Sequence, residues 1–526
     1  MKIKNIIKTV VFSASLLITT GCNNFLDVNV NPNLTLANPP NLILPSIEST
    51  LGFTMGSDIH RYTLLFVQQL AAQNGRQTVE YDLYRIQPTE VNQSFRANLY
   101  AGVLADVEEI LKKDASLTHP HYFGIAKIIK AYTYHIITDL WGDVPFSEAI
   151  KAFEGNFQPA ADPSSAIYPA LIGIINEGIA DLKKTPPVTV TSAPATDDYI
   201  YGGNISRWIR LGNSLKLRLY LHMANVPGFN TSVISDFISA TPATEFMTSV
   251  ADNFRQPFAT LAQRQNPIHQ FILNRTDDIA VGATIVNLMN AKTDPRRASY
   301  FTPSPFSPAL LFSPPINTNS GYVGLLNGQG GTGVNNQLSR MHTYVRGSVT
   351  TPVTSIPAGP ALSVSGVTGL AYDGSAPVRM FTFAEYNFIR AELAMRYGAP
   401  GDPQAFFQAG IRASFADAGL TADADAYLAT NAGTLSGTPE ERLKKLIEEK
   451  YVANYMVAVE PWNDWRRTGY PLLNLLPSTL SPGNNGRVPR ALPYPQQEVD
   501  ANPKLVQRAN LREKPVYWDI RTTGQQ

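Results

Sequence analysis

Four groupings of residues in the 526-residue chain have types and spacings that could do chemistry. The first is Gly328-Gln329-Gly330-Gly331-Thr332-Gly333, which matches the phosphate-cradling pattern GxGxxG. Such a loop works between a strand and a helix, with an acidic residue further along to hold a ribose. No strand–turn–helix pattern frames it here, and no acidic residue follows before Asp373, so a flexible loop is expected. The second is His119 and His121 flanking Pro120, with no carboxylate or thiol beside them to complete a metal site. They read as a solvated helix entrance. The third is the paired carboxylates Asp197-Asp198, Asp277-Asp278 and Glu448-Glu449. Glycoside hydrolysis needs two carboxylates facing each other across a sugar, commonly about 5 to 10 Å apart. Consecutive residues on a helix diverge by about 100°, so Glu448-Glu449 reads as a solvated pair. Residues 295–372 contain no Asp or Glu at all and can supply no catalytic carboxylate. The motifs GxxxxGK[ST], HExxH and GxSxG are absent.

The fourth grouping binds rather than reacts. Sugar rings have apolar C–H faces that stack on aromatic rings, while Asn, Gln and Arg bond the hydroxyls. Tyr81 and Tyr84 follow Gln73, Asn74 and Arg76 in a polar segment between two helical patterns, and Tyr300, Phe306 and Tyr322 lie in the acid-free stretch. These eight are the candidate ligand contacts. No cofactor is expected, and no ligand set for a cation can be placed.

The only cysteine, Cys22, ends the stretch Leu17-Ile18-Thr19-Thr20-Gly21-Cys22. Lys2, Lys4 and Lys8 precede a short apolar run that includes Val10, Val11, Phe12, Leu16 and Leu17. That is the layout of a secretory signal, and it is far short of the roughly 20 residues that span a bilayer. The end looks like a bacterial lipobox, with Thr19 where Leu is usual. Residues 1–21 therefore read as a signal peptide and Cys22 as the lipidated first residue of the mature chain. Acyl chains contribute about 0.8 kcal/mol per buried methylene. The formal charge is +1, and loss of the three leader lysines takes it to −2. Neither value suits nucleic acid.

The elements that must position these residues are mostly helical. Residues 22–50 are rich in Asn and Pro and read as anchor and tether. Apolar residues at three- and four-residue spacing predict helices over His60–Ala72, Gln93–Lys113, Tyr122–Leu140, Tyr168–Lys183, Ile205–Asn225, Ala280–Asn290, Phe383–Tyr397, Gln404–Ala418 and Pro439–Val457. Residues 51–526 form one domain on this reading. Most of its helical scaffold lies in 51–295, a loop-rich insertion in 295–380, and further helices with an irregular tail in 381–526. The fold class is mainly α, with short strands in the loops. Helices joined in pairs by short loops suggest stacked repeats of the tetratricopeptide kind, although that repeat's consensus is not visible.

Six segments then carry a resemblance. They are AKIIKAYTYHIITDLWGDVPFSEA from Ala126, GGNISRWIRLGNSLKLR from Gly202, DPRRASYFTP from Asp294, AEYNFIRAELAMR from Ala384, PWNDWRRTGYP from Pro461 and RALPYPQQEVDANP from Arg490. In this order and spacing the chain resembles the SusD/RagB family of nutrient-binding outer-membrane lipoproteins of Bacteroidetes-type bacteria. The resemblance implies four tetratricopeptide-like helix pairs supporting a loop-rich part, and an anchor on the outer face of the outer membrane. It also implies a SusC-like TonB-dependent transporter as partner, an oligosaccharide or peptide as ligand, and no catalysis. The family's shared motifs read as scaffold: Gly142 permits a positive φ, Asp143 can cap a turn, and Arg466 and Arg467 can pair with carboxylates or stack on rings. They transfer no ligand contact to a numbered residue. A lipid-anchored glycan hydrolase and a helical-repeat interaction scaffold are the alternatives. The missing catalytic motifs weigh against the first and the long loops against the second.

Overall fold

The structure is a computed structural model that describes residues 39–112, 119–187, 193–275, 278–303, 321–330, 338–351 and 371–521. It is mainly helical. The helix Pro120–Trp141 sits near the middle, and 19 of its 22 residues are buried. A helix this apolar on all sides must be covered on all sides. It packs along Ser164–Leu182, which in turn packs on Ile205–Met223. On the other side it meets Gln93–Leu111, whose first twelve residues wind as a π-helix. Ile205–Met223 then contacts Phe383–Tyr397, which pairs with Pro403–Asp417 and Pro439–Ala453. The later helices therefore extend the same stack across the loop-rich region, over a second apolar cluster centred on Phe388, Phe407 and Leu446.

Local signals set the helix starts. Asn204, Thr382 and Asp402 accept backbone N–H bonds at N-caps, and Thr438 with Glu441 makes a reciprocal capping box. Pro40, Pro120, Pro403 and Pro439 stand in the first turn, where a missing N–H costs nothing. The Pro120–Trp141 helix ends at Gly142, with φ +75, and its N–H reaches Thr138 O at 2.7 Å. Asp143 Oδ1 then accepts from Ser164 N at 2.7 Å, so the Asp-Leu-Trp-Gly-Asp turn ends one helix and steadies the start of the next.

Two elements differ from the sequence reading. A helix spans Pro40–Met55, inside the stretch expected to be an extended tether. Its Ile43, Leu44, Ile47, Leu51 and Met55 bury one face, which offsets the low propensity of its prolines. The helix expected over His60–Ala72 stops at Phe66. Gln68 takes φ +60, and Leu70–Ala72 continues as a strand. The Gln68 and Gln69 amides explain the stop: they donate to Asn474 O at 2.7 Å and Tyr451 O at 3.0 Å, bonds made to distant chain.

Strands are few and come in antiparallel pairs: Leu70–Ala72 with Ile279–Val281, Phe254–Gln256 with Val378–Phe381, and Val349–Thr351 with Ala371–Tyr372. All five tryptophans, Trp141, Trp208, Trp462, Trp465 and Trp518, are fully buried. None can serve as a surface platform for a sugar, which leaves that task to other residues.

Candidate functional site

The Leu70–Val281 strand pair is the frame on which separate loops meet. Gln73 N continues its ladder to Asp278 O at 2.9 Å. Leu325 N bonds Val281 O at 2.9 Å and Ala283 N bonds Leu325 O at 2.8 Å, so residues 321–330 lie against the same strand. Asn327 Nδ2 donates to Leu70 O at 3.0 Å and also to the Asp82 carboxylate, and Gly328 N donates to Asp82 Oδ2 at 2.7 Å. Burial pushes Asp82 up to about 7, and the bonds from Gly328, Asn327 and Ala72 only partly offset it. The Gly328 N–H is thus spent on a carboxylate, which would repel a phosphate there. The glycine-rich turn anchors a loop, as its weak context suggested.

Residues 338–346 close the group. Ser339 N bonds Val323 O at 2.9 Å, Arg340 N bonds Thr302 Oγ1 at 2.9 Å, and Arg340 Nη1 donates to Gln73 Oε1 at 2.8 Å. Gln73 is 2% exposed, and its Nε2 has no hydrogen-bond partner among the described residues. A buried amide donor left so costs about 1–3 kcal/mol, which is tolerable where a ligand oxygen completes it. Asn74 beside it is exposed. Tyr322 is half-buried. The Arg297 guanidinium lies 5.1 Å from its ring centroid, and Asn290 Nδ2 holds its backbone O at 2.9 Å. Val323 and Leu326 are each 40% exposed. Two carboxylates stand at the edge of this face: Asp82, held by Asn327 and Gly328, and Asp278, which lies against Gly75 and 3.5 Å from Arg275 Nη1.

The sequence candidates therefore divide. Gln73, Asn74 and Tyr322 come together on the loops fixed by this frame. Arg76 opens the short helix Arg76–Asp82 beside them. Phe306 and Cys22 lie outside the described residues. Tyr81, Tyr84 and Tyr300 are corrected: all three are core residues. Tyr81 meets Tyr62 edge-on at 4.7 Å, Tyr84 meets Phe66 at 5.8 Å, and Tyr300 stacks on Tyr455 at 4.7 Å. At 0–1% exposure none of the three presents an open ring to the loop face. Tyr81→Ala should therefore act on stability, lowering it by about 3–5 kcal/mol as large core truncations do. Chemical denaturation checks this, and a loss confined to ligand affinity would contradict it.

A second grouping was not read from the sequence. His135, Asp139 and His222 bring their ligand-type atoms within 4.8 Å of one another, all buried. The i, i+4 spacing of His135 and Asp139 was the available signal. Those atoms are engaged within the protein. The Tyr168 hydroxyl donates to Asp139, accepts from Trp518 Nε1 at 2.6 Å and lies 3.0 Å from His222 Nδ1. Asn463 Nδ2 donates to Asp139 Oδ2 at 2.6 Å. Burial pushes Asp139 up to about 7 and His222 down to about 4. The cluster runs on into a buried ionic network. There Lys450 bonds Glu460 and Asp464 at 3.0 Å, Arg218 pairs with Glu385 at 2.7 Å, and Arg467 grips Glu392 with two bonds of 2.9 Å. Arg466 lies 3.7 Å over Trp462 and donates to Asp139 O and Arg490 O. These contacts tie helices together. His121 lies apart, with Nε2 3.1 Å from Lys184 O.

Among the described residues, no helix is long and apolar enough to cross a membrane. A SusD-like family model, described as starch-binding and associating with the outer membrane, matches residues 32–495. No curated protein matches. A chitin-binding protein superposes with TM-score 0.73 at 22% identity, covering 92% of this chain and 100% of its own. A chitin-binding SusD homologue from Flavobacterium johnsoniae gives TM-score 0.70 at 22% identity, over 92% and 98% of the two chains. A SusD homologue from Bacteroides uniformis gives TM-score 0.69 at 24% identity, over 91% and 99%.

Proposed function

The chain belongs to the SusD-like family, and from that premise we propose that it is a cell-surface lipoprotein that binds a nutrient oligosaccharide and hands it to a SusC-like TonB-dependent transporter without converting it. The family is one of outer-membrane-associated glycan-binding proteins. The ligand, the transporter and the lack of catalysis are this reading's own steps. One observation carries it: separate loops converge on a face that offers the Gln73 amide, Asn74, the Tyr322 ring and the Arg340 guanidinium. Such a face can stack on and hydrogen-bond a sugar, while the carboxylates at its edge are engaged within the protein, Asp82 with Asn327 and Gly328 and Asp278 with Arg275.

The test is titration of the full chain in detergent with chito- and malto-oligosaccharides, together with an assay for new reducing ends. Tyr322→Ala should weaken binding about tenfold, roughly the 1.4 kcal/mol of a good ring contact, with a small change in melting temperature. Release of reducing ends by the purified protein would overturn the non-catalytic reading. Unchanged affinity in Tyr322→Ala and in Asn74→Ala would move the site elsewhere.

Anchoring rests on Cys22. Cys22→Ala should shift the protein from the membrane fraction to the soluble fraction while leaving its affinity unchanged. Retention of the variant in the membrane pellet would count against a lipid anchor.

A further inference from the structure

A cleft of about 350 Å³ lies between the turn after the Arg76–Asp82 helix and the C-terminal tail, and it shares no lining residue with the loop face. Its size falls in the range of small-ligand sites. No lining residue is Asp or Glu, and two are arginines, Arg85 and Arg508. Arg508 is 7% exposed and gives its N–H groups to backbone carbonyls: Leu492 O at 2.9 Å, Glu513 O at 3.1 Å, Lys514 O at 3.3 Å and Trp141 O. Among the described residues no carboxylate forms an ion pair with it, and burial holds its guanidinium below its ordinary value, against the attraction of Tyr494, Asp143 and Glu513. Arg85 bonds Leu480 O through Nε at 2.9 Å and Nη2 at 2.6 Å. Its one acidic neighbour, Glu80, lies 3.5 Å from Nη1 in a pair that is 38% and 41% exposed, so solvent screens the attraction. Next to the cleft wall, Arg512 is pushed down to about 10 by burial and by the charges of Arg487 and Arg521. The cleft lining itself thus carries two arginines and no carboxylate.

A second observation points to a ligand. Ser481 lines the cleft, is 1% exposed, and its Oγ has no hydrogen-bond partner among the described residues. A buried hydroxyl without a partner is costly, and the open space beside it is where a partner can arrive. Gln87 and Asn510 add amides to the same lining. A negative charge with hydroxyls around it satisfies both features at once: the carboxylate answers the arginines, and the hydroxyls answer Ser481 and the amides.

We propose that this cleft is a second binding site and that it takes an acidic sugar, a uronate residue, with its carboxylate toward Arg85 and Arg508 and a ring hydroxyl on Ser481 Oγ. The site adds charge selectivity to the recognition proposed for the loop face. Gly483 lines the cleft, and a Cβ on it would meet nothing within 4 Å, so Gly483→Trp starts without a backbone clash and adds bulk at the cleft wall.

The experiment is calorimetric titration of the full chain in detergent with digalacturonate, at low salt and at about 0.5 M salt. Binding should weaken with salt, as charge-based recognition does. Gly483→Trp should lower affinity at least tenfold with an unchanged melting temperature. Arg85→Gln should lower it about fivefold and flatten the salt dependence. Excess chitotetraose, the probe for the loop face, should not displace digalacturonate. Wild-type affinity in Gly483→Trp, displacement by chitotetraose, or equal binding of a neutral disaccharide in the cleft would each overturn the proposal.

Discussion

Glu392→Ala is expected to destabilise the protein by about 3–5 kcal/mol, the cost of breaking a buried ion pair, because Arg467 would keep only Asp464, which Lys450 also holds. Glu392 on the Phe383–Tyr397 helix is 0% exposed and takes both Nη atoms of Arg467 at 2.9 Å, with Arg396 adding a third bond at 2.6 Å. Burial alone would raise its pKa. The charge and bonds of Arg467, with Arg396 behind, outweigh that and hold it at about 2. The sign of the pH dependence follows. A carboxyl held below its unfolded value of about 4.5 stabilises the fold above that pH and loses the contribution as pH falls toward 2. The gap of about 2.5 units corresponds to about 3 kcal/mol. Denaturant unfolding at pH 7 and at pH 3 checks both numbers. Glu392→Gln keeps the shape but not the charge, so it should be weakened at pH 7 and should lose less than wild type on acidification. Wild-type stability of Glu392→Gln at pH 7 would show that the pair contributes nothing.

This pair also shows what the sequence could not display. Arg466 and Arg467 are legible as residues that pair or stack, and Asp464 lies three positions before Arg467, but its other partner, Glu392, lies 75 positions away. No local pattern links them. Helices with strong apolar periodicity were legible to within a few residues, because their faces are written at three- and four-residue spacing. Phe383–Tyr397 matches its expected bounds. The Pro40–Met55 helix carried the same spacing, but Asn and Pro around it pointed to an extended chain, and tertiary burial decided otherwise. Strands of two to four residues are too short to show alternation.

The candidate site was legible in composition and not in geometry. Of the acid-free residues 295–372, the described segment 338–346 reaches the Gln73 segment through the bond from Arg340. Which tyrosines remain open to ligand depends on which rings meet them, and those rings come from distant chain: Tyr62 on Tyr81, Tyr455 on Tyr300. Tyr81 follows Thr78 by three on the short Arg76–Asp82 helix, a spacing that puts both on one side, while Tyr84 lies past the helix end with φ +60, which no local periodicity displays.

Gly282→Ala should abolish ligand binding at the loop face and lower stability by about 1–3 kcal/mol, the range of overpacking in a close-packed interior. Three backbones meet at this residue. Its N–H bonds Gln69 O at 2.9 Å, its neighbour Ala283 bonds Leu325 O at 2.8 Å, and Leu325 bonds back to Val281 O. A Cβ on Gly282 would collide with Gln68 O, which is main chain and cannot rotate away. Gly324 answers from the other side, where a Cβ would lie 2.6 Å from both Ala283 Cα and Gly282 O. A methyl at either glycine must separate the 321–330 loop from the strand pair, and that moves Tyr322 away from Gln73. Gly173→Ala, on the Ser164–Leu182 helix, is the matched control. Its Cβ meets nothing within 4 Å, so it should gain about 0.5–1 kcal/mol of helix stability and leave binding untouched. Titration and denaturant unfolding of the three variants separate the two effects. Full affinity in Gly282→Ala would show that the glycine contact does not hold the face together, because nothing else in the variant alters the loops' own side chains.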